Sequence, residues 1–201
     1  MTEFPIILKR EKQGLPFSVI LCIVLAVILF FNVLFNSLYL RIYIVGSSMN
    51  DTLTGAVASD VSGGDFIYVH RFIKPERGDI VVIQTEDKVI IKRVIGLAGD
   101  EVALDHGKLY LNGTLTEEPY ISPENNDPNK PVNTFAPVRV PEGHVFCMGD
   151  NRDNSVDSRS SYGCMSVESI IGIAAEWSLD FKNAVTAFNT FFEFTLPDLF
   201  R

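Results

Sequence analysis

Residues 88–95 read KVIIKRVI, and residues 79–83 read DIVVI. Both runs are short, rich in β-branched residues and bounded by turn-forming residues, which is the pattern of buried β-strands. Two similar runs lie at residues 66–69 and 108–111. Turn signals that contain glycine separate these runs, at residues 63–64, 77–78, 112–113 and 142–143. The sequence therefore predicts a mostly β domain.

The rest of that domain is less regular. Residues 117–140 are rich in Pro, Asn and Asp, which predicts an excursion rather than core and places a smaller lobe at about residues 103–145. Residues 166–176 are interpreted as a short helix or a strand. We expect the domain to extend over residues 41–180. An aromatic tail at residues 181–201 follows, and it either packs on the core or lies on a membrane.

A long apolar segment precedes the β-rich part. Residues 17–40 contain no charged side chain, and as an α-helix they reach about 36 Å, enough to cross a bilayer core of about 30 Å. A cleavable signal peptide has a shorter apolar region and a cleavage site with small residues. Residues 39–43 offer no such pair of small residues. We therefore expect a permanent transmembrane anchor.

The charges on either side of the anchor predict its direction. The basic side chains of residues 1–16 outnumber Arg41, so the positive-inside rule leaves residues 1–16 in the cytoplasm and residues 41–180 outside the plasma membrane. Ser48 lies eight residues after Leu40. Even fully extended, that chain spans only about 26 Å, so we expect Ser48 to lie close to the membrane surface.

Composition excludes some functions. The formal net charge of −8 argues against nucleic-acid binding, because phosphate neutralisation needs clustered Lys and Arg. Cys22 lies in the apolar segment, where it acts as a small hydrophobic residue. Cys147 and Cys164 match no metal motif, and their pairing stays open from sequence. We expect no cofactor and no metal.

Two stretches offer a serine and a lysine. Residues 45–53 read VGSSMNDTL, and a glycine before two serines permits a sharp turn that exposes a hydroxyl, although surface loops also look like this. Lys92 and Arg93 sit in an apolar strand and point to opposite faces, so one of them faces inward or into a cleft. Burial would lower the pKa of Lys92 and let it take a proton from a serine. The alternative is a pair of edge-strand charges that discourage aggregation.

A polar loop follows an apolar run at residues 145–148. It reads GDNRDNSVDSR over residues 149–159. Asp–Arg pairs would make such a loop rigid, since carboxylate and guanidinium groups bind each other bidentately. A serine in this loop could hydrogen-bond a lysine ammonium and fix its direction. The alternative is a solvated turn.

Four segments, in this order, resemble the conserved boxes of type I signal peptidases. They are residues 46–53, 77–82, 92–100 and 149–159. With the anchor they extend over most of residues 17–175. The resemblance implies the signal-peptidase β fold, a catalytic β core with a small additional lobe, carried on one transmembrane helix. It also implies an endopeptidase with a Ser/Lys dyad that removes signal peptides after a small-x-small motif.

The resemblance implies a role for each matching residue. Ser48 matches the nucleophile, and its backbone N–H would form part of the oxyanion hole. Lys92 matches the general base, and a Ser/Lys arrangement needs no histidine. The remaining matches are supporting residues: Ser155, which orients the lysine, the ion-paired Asp157 and Arg159, and Asp150 nearby.

The chain departs from the family pattern at two positions. Gly46 stands where some members have a serine that completes the oxyanion hole. The shorter, single-span Gram-positive-like members resemble this chain in that respect. Asp51 stands where the family usually has proline, which puts the rigidity of that loop in doubt. For the substrate pocket, which should exclude bulky side chains, we expect walls from Ile44, Met49 and Val82.

Other functions remain as alternatives. A dedicated Ser/Lys processing peptidase for a restricted substrate would have the same residues. A soluble self-cleaving repressor would lack the anchor, and an inactive module that only binds preproteins predicts loss of Ser48 or Lys92. The expected partners are secretory preproteins, membrane lipid and the nearby secretion translocase.

Overall fold

The computed structural model describes residues 15–57 and 63–195. The chain forms two compact units, residues 1–37 and residues 38–201. The first contains all but the last residue of helix α1, Phe17–Leu38, which has 22 residues and a mean hydropathy of 3.0 over its most apolar window. Its length and composition suffice to cross a membrane. Most of the predicted cytoplasmic segment, and the tail beyond residue 195, lie outside the described residues.

The described part of the second unit contains eleven strands. They are β1 Tyr39–Tyr43, β2 Phe66–His70, β3 Ile80–Gln84, β4 Val89–Gly96, β5 Glu101–Asp105, β6 Lys108–Leu111, β7 Thr114–Thr116, β8 Phe135–Arg139, β9 His144–Met148, β10 Met165–Ser166 and β11 Ile170–Ala174. Seven form one antiparallel sheet in the order β1-β2-β11-β3-β4-β9-β10. The other four form a second antiparallel sheet in the order β7-β6-β5-β8.

Strand β3 shows why the large sheet is apolar on both faces. Ile80 and Val82 belong to one buried cluster, while Val81 and Ile83 belong to another. Successive side chains of a strand point to opposite faces, so a strand that is buried on both sides becomes a continuous apolar run. A third cluster joins the two sheets, with Phe146 of β9 packing among residues of β5 and β6.

The mostly β prediction is confirmed. The predicted runs at 66–69, 79–83, 88–95 and 108–111 are β2, β3, β4 and β6, within one residue at each end. The four-stranded sheet spans residues 101–139, and the bounds of the smaller lobe stay a prediction. The segment at 166–176 contains a 3₁₀ turn at Val167–Ser169 and β11. The sequence did not identify β5, β7, β8, β9 or β10 as strands.

The ends of the domain differ from expectation. Helix α1 ends at Leu38, two residues before the predicted end of the anchor, because Tyr39 and Leu40 pair with His70 and Val69 of β2. The chain after β11 is helical. It forms α2 Glu176–Asp180, α3 Lys182–Thr190 and a π-helical turn at Phe191–Thr195.

Candidate active site

Ser48 begins a tight turn that follows β1. Gly46 has a φ of +84°, in the region that favours glycine, and its N–H donates to the carbonyl of Ala56 at 3.0 Å. The Leu53 N–H closes the turn by donating to the Met49 carbonyl at 2.8 Å. The Ser48 carbonyl accepts from the Asn151 N–H at 3.1 Å. The serine is thus fixed on both sides, by its own turn and by the polar loop.

Lys92 reaches Ser48 from the middle of β4. Its ammonium nitrogen Nζ lies 2.7 Å from Ser48 Oγ and 2.7 Å from the Ile91 carbonyl oxygen. The residue is only 3% exposed. Burial lowers the pKa of Lys92 from 10.5 to about 8, although the negative charge of Asp157 opposes this shift. About a tenth of Lys92 is therefore neutral at pH 7, and about half at pH 8.

Arg159 holds the Asp157 carboxylate near Lys92. Burial alone would raise the pKa of Asp157, but the hydrogen bonds and charge of Arg159 and the Gly149 N–H outweigh it, so the pKa is lowered. The Arg159 side chain donates twice to Asp157, at 2.9 and 2.8 Å, and the Gly149 N–H donates at 2.9 Å. Asp157 is therefore a fixed negative charge inside the domain.

Ser155 does not hydrogen-bond Lys92 in this structure. Its Oγ atom is buried and has no hydrogen-bond partner of acceptable geometry among the described residues, although its hydroxyl contributes to lowering the pKa of Asp157. The described hydrogen bonds of Lys92 go to Ser48 and to the Ile91 carbonyl. Gly149 packs so closely on Ser155 and on the Ser48 carbonyl that a Cβ atom there would collide with both.

Asp150 is joined to Arg93, which is the neighbour of Lys92. The guanidinium of Arg93 donates to both carboxylate oxygens of Asp150, at 2.9 and 2.7 Å. The Thr52 hydroxyl also donates to Asp150, at 2.5 Å. Lys92 is 3% exposed and so faces inward, as expected of one residue of the two, while Arg93 is bound by Asp150. Arg93 thus ties β4 and the polar loop to the turn of Ser48.

Arg152 and Glu118 form a third buried pair, which the sequence did not suggest. The Arg152 side chain is 0% exposed and that of Glu118 is 7% exposed. The Arg152 NH1 group donates to Glu118 at 2.8 Å, and its Nε atom donates to the Gly149 carbonyl at 3.1 Å. The Tyr120 hydroxyl donates to Glu118 at 2.6 Å. This pair connects the polar loop to the segment that follows β7.

A cleft of about 420 Å³ opens beside Ser48 and Lys92. Ile44 and Val82, two of the expected wall residues, line it. Met49, the third, does not line it, and this expectation is corrected: its side chain is fully buried in the core cluster with Leu53. Met49 points inward because its neighbour Ser48 takes the cleft side of the turn.

Asp51 connects the Ser48 turn to the smaller lobe. Its carboxylate accepts hydrogen bonds from the Ser122 N–H at 2.8 Å, the Ser122 hydroxyl at 2.9 Å and the Asn125 side-chain amide at 2.8 Å. Its φ of +94° is uncommon outside glycine. The rigidity that a proline would give is supplied here by contacts across 71 to 74 residues of chain.

Replacing Asp51 by proline is expected to destabilise the protein. Proline requires a φ near −65°, which the observed backbone angle of Asp51 excludes. It also removes three hydrogen bonds, so we expect a loss of about 2–3 kcal/mol. Asp51→Gly is the matched control, since it loses the same bonds but accepts the positive φ. The measurement is urea unfolding, and equal stability of the two variants would show that the backbone angle is not the cause.

Comparison with known proteins places this arrangement in a family. Residues 17–178 match the family model described as signal peptidase, peptidase S26. Over 141 residues the chain is 37% identical to signal peptidase I of Bacillus licheniformis. This match covers 65% of this chain and 72% of that protein. It is 38% identical over 141 residues to signal peptidase I T of Bacillus subtilis strain 168, covering 65% of this chain and 69% of that one.

A solved structure is similar as well. The crystal structure of a signal peptidase I from Enterococcus faecalis V583 has 31% sequence identity and covers 51% of this chain and 98% of that chain, with a TM-score of 0.44. The family match spans most of the chain, from the apolar helix to α2. This chain therefore belongs to the signal peptidase family, peptidase S26.

Proposed function

We propose that the chain is a membrane-anchored endopeptidase that removes signal peptides from preproteins, with Ser48 as the nucleophile and Lys92 as the general base. Family membership supports the activity. The observation that carries the two roles is the 2.7 Å contact between Lys92 Nζ and Ser48 Oγ, made by a lysine whose pKa burial lowers to about 8. A serine needs such a base beside it to become nucleophilic.

The reaction then runs in two steps. Neutral Lys92 accepts the Ser48 hydroxyl proton as Oγ attacks the scissile carbonyl carbon. The resulting ammonium returns the proton to the departing amine, which leaves an ester between Ser48 and the signal peptide. Lys92 next takes a proton from a water molecule, the hydroxide attacks the ester, and Ser48 regains its proton. The Ser48 backbone N–H is the donor we assign to the developing oxyanion.

The surrounding charges position these groups. Asp157 and Asp150 are each bound by an arginine. The Arg93 pair holds the polar loop against the turn that carries Ser48, and Asp157 keeps the Lys92 pKa from falling further. We assign Ser155 to orientation of Lys92, because its buried hydroxyl lies near Asp157 and makes no geometric hydrogen bond to another described residue.

The lining of the cleft suggests the substrate, and the basic residues before α1 suggest on which side of the membrane the domain lies. Apolar walls at Ile44 and Val82 beside the dyad favour small side chains next to the scissile bond. The basic residues before α1 place the N-terminus in the cytoplasm and the domain at 41–180, with its lobe near 103–145, on the outer face. Lipid and the secretion translocase are then neighbours of the enzyme.

Cleavage is expected to rise with pH through a pKa near 8. Lys92 acts as a base only when neutral, and its lowered pKa makes it half neutral at about pH 8. Below that value kcat/KM should fall about tenfold per pH unit, which leaves about 1% of the maximum at pH 6. The measurement is cleavage of a preprotein with a small-x-small site by the full chain in detergent, from pH 6 to 10.

Two controls make this test specific. Near-ultraviolet circular dichroism at each pH shows that the fold is unchanged, and a preprotein with a bulky residue before the scissile bond should remain uncut. A rate that is constant from pH 6 to 9 would eliminate Lys92 as the base. Cleavage of one special substrate while ordinary preproteins are ignored would favour a dedicated processing peptidase.

A further inference from the structure

Helix α3 is oriented in an unusual way. A surface helix normally packs its apolar side on the core and turns its polar side to water. In α3 and the turn that follows it, four polar residues point toward the domain, spaced at i, i+4, i+7 and i+11 along one side. They are Lys182, Thr186, Asn189 and Glu193.

Hydrogen bonds fix these four residues in place. Lys182 Nζ donates to the Thr52 carbonyl at 2.6 Å, and the Thr186 hydroxyl accepts from the Phe66 N–H at 2.9 Å. Arg41 of β1 donates to Asn189 at 3.2 Å and to Glu193 at 2.8 Å. Asn189 is buried. The polar side of α3 is therefore the side that contacts the sheet.

Phenylalanines lie away from this polar side. Phe181, Phe188, Phe191 and Phe192 are 65%, 61%, 44% and 47% exposed. Phe188 of α3 lies about 160° around the helix from Thr186 and about 100° from Asn189, while Phe181 precedes α3 and Phe191 and Phe192 lie in the π-helical turn. We call these four residues the phenylalanine face. Phe192 lies between Phe188 and Phe191, with ring centroids at 4.7 and 5.3 Å, so the rings form one continuous patch.

Chain connectivity brings this patch close to the membrane. Arg41, which holds the polar side of α3, lies three residues after Leu38, the last residue of the candidate membrane span. Three residues reach at most about 11 Å. The Leu38 carbonyl, which belongs to the second unit, also accepts from the Arg71 N–H at 3.1 Å.

The size of the patch argues against a second copy of the chain. The exposed parts of four phenylalanines amount to about 400 Å², whereas a stable dimer buries about 800 Å² on each partner. An amphipathic helix that lies in the interface of a bilayer needs no such area, because the lipid covers its apolar side.

We propose that the phenylalanine face rests in the headgroup region of the bilayer and sets the orientation of the domain on the membrane. The polar side of α3 hydrogen-bonds to the rest of the domain, and the aromatic side contacts the lipid. The orientation of the domain is then fixed at two points, the end of α1 and α3, rather than by a single flexible connection. The inference does not depend on which residue is the nucleophile.

Fluorescence quenching by lipid tests this directly, because Trp177 is the one tryptophan of the chain. In the Trp177→Phe background, Phe188→Trp places a reporter in the face. Leu115→Trp, at a position on β7 that is 54% exposed, is the matched control on the smaller lobe. The full chain is reconstituted in phosphatidylethanolamine and phosphatidylglycerol vesicles, with or without bromine on the acyl chains.

Brominated lipid should reduce the Phe188→Trp emission by about twofold and leave the Leu115→Trp emission nearly unchanged. Equal quenching of the two reporters, or none at position 188, overturns the proposal. If position 188 is unquenched but its emission shifts as protein is concentrated in the vesicles, a second copy covers the face and the lipid assignment is wrong. Retained preprotein cleavage by both variants shows that the reporters leave the fold intact.

Discussion

Ser48→Ala is expected to reduce kcat for preprotein cleavage by about 10⁴–10⁶-fold, because a triad-type nucleophile supplies that much of the rate. Lys92→Ala should cause a loss of similar size, since it removes the base 2.7 Å from the hydroxyl. The double variant should be no slower than either single variant. Groups that act as one unit do not contribute additively.

The neighbouring serine provides a matched control. The Ser47 hydroxyl accepts a hydrogen bond from the Asn154 side chain at 2.7 Å and makes no described contact with Lys92. Ser47→Ala should therefore reduce kcat by less than about tenfold, the loss of a neutral hydrogen bond. Rates are measured at pH 9, where most Lys92 is neutral, by gel or mass detection of the cleaved preprotein. Retained activity of Ser48→Ala would place the nucleophile elsewhere.

The sequence predicted the strands that are buried on both faces. The run of β3 is continuous and apolar, and that of β4 is interrupted only by Lys92 and Arg93, because both strands lie inside the large sheet. Strands β5 and β8 belong to the smaller sheet, and β8 has four exposed positions out of five, so its residues carry no apolar pattern. β8 pairs with β5 between residues that are 31 to 38 positions apart, which local composition does not encode.

Prediction of the site residues had the same limit, because local composition does not show contacts between residues that are far apart in the chain. The Ser48 and Lys92 assignments came from a matching segment order, and the structure brings these two side chains together across 44 residues. Met49 was expected in the cleft because it adjoins Ser48, but in a tight turn adjacent side chains diverge. Glu118 lies in a stretch whose proline and asparagine content indicates a loop. Nothing local shows that its carboxylate is buried against Arg152.

Arg152→Met is expected to lower the free energy of unfolding by about 3–5 kcal/mol, because it leaves the Glu118 carboxylate buried without its cation. The Arg152 side chain is 0% exposed and its guanidinium holds both Glu118 and the Gly149 carbonyl. Tyr120 cannot replace it. Burial and the nearby Glu118 charge raise the pKa of Tyr120, so its hydroxyl stays neutral and offers one hydrogen bond rather than a charge.

Two further variants separate charge from packing. Arg77→Met breaks the Arg77–Asp100 pair, in which the arginine side chain is 46% exposed, and should cost less than about 1 kcal/mol. Glu118→Gln combined with Arg152→Met removes the unpaired charge and should recover part of the loss. The measurement is urea unfolding of the full chain in detergent, followed by Trp177 emission. If Arg152→Met costs no more than Arg77→Met, the buried pair does not hold the polar loop. If the double variant is as unstable as Arg152→Met alone, lost packing of the arginine side chain is the cause, and the site depends on its shape more than on its charge.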